Sequence, residues 1–164
     1  MIPEIDVQLA AVAKSLADNV LPAVDPANAM AVEQLHLALA TLAIVRQRLP
    51  DLHAYLRRDL ADNIALARQI GANADTIADS EAVLASPESS PQRIEAQVRA
   101  LKEAIGAAID KARGTPAEAE VAAAVLAAEG PMILRMRAWA IGMGFEPDPS
   151  QIPDLTELLE DKQP

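Results

Sequence analysis

Two side chains in this sequence stand at a spacing suited to binding a metal ion. Glu33 and His36 lie three residues apart in the stretch ANAMAVEQLHLALATLAIV, residues 27–45. On a helix that spacing puts a carboxylate and an imidazole on one face, where both can ligate one ion. Di-iron carboxylate bundles use a Glu-x-x-His pair twice, with two further Glu from other helices. Here the second half is missing. The other histidine, His53, has Pro50 three residues before it rather than a Glu, and Asp62 is the possible acid on the next helix. A complete ligand set is therefore not expected, and neither a metal nor another cofactor is assigned. Glu33 and His36 are then expected to hydrogen-bond inside a bundle or at a subunit interface, because buried polar groups need partners.

Three further groups have chemical potential. His53 and Tyr55 are candidates for proton transfer, but positions two apart on a helix point away from each other, so a surface role is expected. Arg57-Arg58-Asp59 can contact an anion, or form a solvated helix face. Met132, Met136, Trp139 and Met143 recur in steps of four, three and four, which places them on one helical face beside Phe145. Met and Trp make adaptable apolar surfaces, so these four are candidate ligand-binding residues, or a core helix filling gaps that Ala leaves. No Gly-rich phosphate loop, nucleophile elbow or paired His-Glu zinc motif occurs. No catalytic residue is assigned.

The elements that must position these groups are all helical. Ala occupies 35 positions and aromatics only 2% of the chain, so the apolar content is Ala, Leu, Ile and Val. Ala favours helix and lets helices approach closely. Apolar steps of three and four predict a first helix over 3–21 and a second over 26–49, with Asp25 as its N-cap and Pro26 at the first helical position. A third spans 51–70. Beyond Gly71 the pattern continues to 84, as one bent helix or as two. Ser90 caps a fourth over 91–113, ended by Gly114. Thr115 to Glu118 match a capping box for a fifth helix to 129, and Gly130-Pro131 separate a sixth to 143. No strand pattern survives. The expected fold is all-α, an up-and-down bundle of about five to six helices over residues 1–145. Residues 146–164 form a Pro-rich acidic tail. Ile152, Leu155, Leu158 and Leu159 suit docking in cis or across a dimer.

The second helix is expected to be the buried centre of that bundle. One arc is wholly apolar, Ala31, Val32, Leu35, Ala38, Leu39, Leu42 and Val45. The other mixes Glu33, Gln34, His36 and Thr41 with Met30, Leu37 and Ile44. A helix apolar on two sides is covered on both, and a homodimer is the commonest source of the second cover. Glu33, His36, Leu37 and Ile44 are the interface candidates.

Charge narrows the partners. The net charge is −10, half of it in the tail, and no basic patch is interleaved with aromatics. Nucleic acid and anionic membranes are therefore not expected partners. Polar residues within 27–45 make a membrane span costly. There are no cysteines, which removes disulfides and thiol chemistry. Residues 1–8, MIPEIDVQ, carry acids where a signal peptide carries a basic region, so a cytoplasmic location is expected.

The segments LADNVLPAV (16–24) and ALATLAIVRQRLP (38–50) resemble an uncharacterised Ala-rich bacterial helical family. Its members are sometimes encoded near aminoglycoside-phosphotransferase-like kinases and acyl-CoA dehydrogenases. Residues 86–164 depart from that pattern. The resemblance implies an accessory role and identifies no active site. The expected function is non-catalytic, by association as a homodimer or with a protein partner. The alternatives are an apolar-ligand binder using the Met–Trp face and a metal-dependent enzyme using Glu33 and His36.

Overall fold

The computed structural model describes residues 4–160. The protein is all-α, 82% helical, with six α-helices of eleven residues or more and no strand among the described residues. These helices are α1 (Ile5–Ser15), α2 (Ala29–Arg48), α3 (Leu52–Gln69), α4 (Ala74–Ala85), α5 (Pro91–Ala112) and α6 (Glu118–Ala140). A short α7 (Leu155–Leu159) closes the described chain. The chain divides into two compact units. Among the described residues, one holds 4–50 and 139–149, the other 51–138 and 150–160.

The second unit owns the hydrophobic core. Leu56, Leu60 and Ile64 from α3 meet Val83 from α4 and Ile94, Val98, Leu101 and Ile105 from α5, with Ala124 from α6. Leu60, Ile94 and Leu101 are fully buried. Apolar residues at steps of three and four make one continuous stripe per helix, and the stripes close on each other. Gly71 separates α3 from α4. Its φ of 67° is left-handed backbone that glycine adopts without a steric penalty, so the pattern over 51–85 is two helices. Asn73 then caps α4 by accepting from the Thr76 amide at 2.9 Å. Ser90 caps α5 in the same way. Ile152 and Leu155 are buried in this unit, and α7 lies on α3.

Three predicted boundaries are corrected. Helix α2 is capped by Asn28, which accepts from the Ala31 amide, and not by Asp25. Residues 25–28 instead close a turn, with Asp25 accepting from the Ala27 amide at 2.9 Å. No break occurs at Gly130-Pro131. Helix α6 runs through Pro131, so the expected fifth and sixth helices are one. The capping box is displaced. Glu118 starts α6 and accepts from the Gly114 amide, where φ is 72°, while the Thr115 hydroxyl donates back to the Ala112 carbonyl.

The first unit is a helical hairpin. From Ser15 the chain tightens through a π-helical turn (Leu16–Val20) and a 3-10 turn (Leu21–Ala23) before α2 returns along α1. Asp6 at the start of α1 takes a two-pronged ion pair from Arg46 at the end of α2, at 2.9 and 3.2 Å. That bond holds the Asp6 carboxyl below its usual range. A 3-10 turn (Ile141–Met143) packs on α2, where Gly142 sits against Ile44 and Gln47.

Candidate functional site

The buried central helix expected over 27–45 is not buried. No residue of the most apolar 18-residue window in Ala29–Gln69 is buried, and that stretch is long and apolar enough to cross a membrane by length and composition alone. Within the hairpin α2 gives up only one arc. Ala31, Val32, Leu35, Leu39 and Leu42 are half-buried, on the side where Arg46 reaches α1. Beyond that arc only Ile44, Arg46 and Arg48, near the C-terminal end, are covered, and the remaining residues of the helix are in solvent. Met30 is 66% exposed, Leu37 53% and Val45 42%. Ile5 and Val12 on α1 are exposed too. Among the described residues, Arg48 is the only buried one in this unit. It donates to the Trp139 carbonyl at 2.9 Å and lies 5.9 Å from the Trp139 ring. With its apolar residues at most half-buried, this unit gains less from the hydrophobic term that dominates folding than the second unit does.

Glu33 and His36 are exposed on this helix, which corrects the expectation that they bond inside a bundle. With Pro26, Ala29, Val32, Leu37 and Ala40 they line a shallow open groove of about 500 Å³. No group of three or more metal-ligating side chains occurs among the described residues. Asp62, the possible third ligand, is committed elsewhere. It accepts from buried Arg135 at 2.6 Å and pairs with Arg58. Of the interface candidates, Leu37 faces solvent and Ile44 is half-covered by the turn at Gly142.

The polar residues of α3 are structural, not a solvated face. Arg57 donates to the Leu84 and Ser86 carbonyls at 2.6 and 3.0 Å, closing the end of α4. Asp59 pairs with Arg135 at 3.6 Å and with Lys102 at 3.8 Å. His53 and Tyr55 are half-buried rather than on the surface. His53 Nε2 is 3.2 Å from the Ser89 carbonyl. Tyr55 lies under the Arg135 guanidinium, 5.7 Å from ring to cation. Burial raises the Tyr55 phenol above its usual range, the Asp59 charge adds to this, and Arg135 opposes it. The two do not share a site. A cavity of about 350 Å³ here is lined by His53, Arg57, Arg58, Leu84 and Leu159, and Arg57 already commits its donors to backbone carbonyls.

The Met–Trp stripe does not form one pocket wall. Met132 and Trp139 are half-buried while Met136 and Met143 are exposed. The cavities of the second unit are lined by other residues, one by Ile109, Val121, Val125 and Leu126, another by Pro131, Leu134, Glu157 and Leu158.

The feature that sequence reasoning missed is the uncovered state of the hairpin. The mixed second arc of α2 signals a face that needs a second cover, and what the sequence does not show is that the helix is not fully buried on its first side either. Compared with known proteins, the chain matches no family model, no curated protein and no solved structure.

Proposed function

We propose that this is a non-catalytic association protein, built from a self-sufficient helical core and a hairpin that binds a protein surface. One observation carries the reading: α2 is strongly apolar, yet no residue of its apolar stretch is fully buried and Met30, Leu37 and Val45 stand in solvent. Soluble single chains rarely leave contiguous apolar patches of more than a few hundred Å² uncovered. A 20-residue helix is about 30 Å long, so the α2 face alone reaches that scale. The partner is a second copy or an enzyme to which the chain is accessory. A bilayer is a poorer match, because Glu33, Gln34, His36 and Thr41 would enter it with α2. The Met–Trp and Glu33–His36 alternatives have no comparable support, since the first is half exposed and the second lacks further ligands.

The test is a concentration series by analytical ultracentrifugation, with Leu37→Glu beside the unaltered chain. Association of the unaltered chain, weakened at least tenfold by Leu37→Glu with helix content retained, is the expected result. Identical behaviour of the two chains in every mixture would contradict the reading.

A further inference from the structure

The exposed face of α2 matches itself. Met30, Gln34, Leu37, Ala38, Thr41 and Val45 are all exposed. At 100° per residue they fall within an arc of about 100°, clear of the half-buried arc beside α1. Their steps are four, three, one, three and four, so the order is the same read from either end. A two-fold axis crossing α2 between Leu37 and Ala38 maps the stripe onto itself. Such an axis sets Met30 opposite Val45, Gln34 opposite Thr41, and Leu37 opposite Ala38. Apolar meets apolar at both ends, polar meets polar between, and large meets small at the centre. The symmetric steps follow from helical geometry; the agreement of side-chain types at each pair does not.

Charge agrees with this pairing. No charged residue stands in the stripe between Met30 and Val45, Glu33 and His36 lie beyond its edge, and Arg48, one turn on at the angle of Met30, is already buried and bonded to the Trp139 carbonyl. The hairpin's other charges are partly satisfied internally, Asp6 by Arg46 and Asp18 by Lys14. The face can therefore leave water without burying an unpaired charge. The Gln34 amide meets a hydroxyl, so the polar pair is not stranded. The size is that of a weak, reversible interface: α2 is about 30 Å long and α1 about 16 Å, and at about 10 Å wide they present about 460 Å² per copy.

Resting on the association reading above, we infer that the partner is a second copy of this chain, paired antiparallel through α2 so that two hairpins close a four-helix bundle. The symmetry is isologous, as most dimers are. Ile5 and Val12 on α1 are exposed as well.

The absence of cysteine allows a direct test. Met30→Cys and Val45→Cys are made separately in the full chain, then mixed and mildly oxidised, with the mass of the unaltered chain read by light scattering. The antiparallel pair predicts a mass twice that of one chain. It also predicts a disulfide between the two variants at least tenfold above either variant alone. Within one pair of Met30→Cys chains, the two introduced thiols would stand about 22 Å apart along the axis, too far to bridge. Met30→Cys cross-linking to itself as well as to Val45→Cys overturns the antiparallel pairing, while a doubled mass leaves the association reading standing. A single-chain mass overturns the second copy. In that monomer, fast-exchanging α2 amides leave the hairpin in need of another protein. Slow-exchanging amides overturn the association reading too, and co-flotation with phosphatidylcholine vesicles replaces the copy with a bilayer.

Discussion

Arg135 is the side chain with the most to lose. It is 3% exposed, bonds Asp62 at 2.6 Å, faces Asp59 at 3.6 Å and covers the Tyr55 ring. Removing one member of a buried ion pair leaves the others desolvated without compensation. Arg135→Met is expected to lower unfolding free energy by about 3 kcal/mol in urea titration. Tyr55 makes a second prediction. Its phenol is held above the usual range, so the folded state favours the neutral form. The stability this contributes is complete below the ordinary phenol pKa and is lost as pH rises through the raised value. The single tyrosine makes the titration readable from phenolate absorbance. A midpoint above the free phenol is expected, and Tyr55→Phe should flatten the alkaline fall in stability. Neither contact was legible in the sequence. Arg135 lies 73 residues from Asp62, and no local period reports a pairing of that range. The Glu33–His36 spacing was legible and suggested chemistry, yet nothing local showed that both face solvent.

The elements follow from their sequences more closely. Steps of three and four placed α3 and α5 nearly to the residue, because a buried stripe demands that period. Asn73 is an exposed cap whose loss leaves the Thr76 amide without its bond, and Asn73→Ala is expected to cost about 1 kcal/mol. Pro131 marks where local rules failed. Proline disfavours helix interiors, but α6 continues through it. Packing of Ala124, Val125 and Ala128 on the core before it and the Arg135 pairs after it hold the helix on both sides. Its penalty persists, so Pro131→Ala should raise unfolding free energy by about 1–3 kcal/mol. At Asp25 the cap rule failed differently. Asp25 turns its carboxylate to the Ala27 amide, and Asn28 takes the cap three residues later.

At the scale of the whole molecule, the two units differ in what they bury. The same substitution shows the contrast. Leu60→Ala removes a fully buried side chain and is expected to cost about 3 kcal/mol. Leu37→Ala removes one that is half in water, and in the separated chain should change stability by less than about 0.5 kcal/mol while weakening association. Apolar composition suggested burial for both, because composition reports what must leave water and not which chain supplies the cover. The measurement that bears most directly on this account is the mass of the unaltered protein in solution at micromolar concentration. The account predicts twice the 17.4 kDa of one chain. A mass of one chain would contradict the second copy, and slow exchange of the α2 amides in that monomer would contradict association altogether.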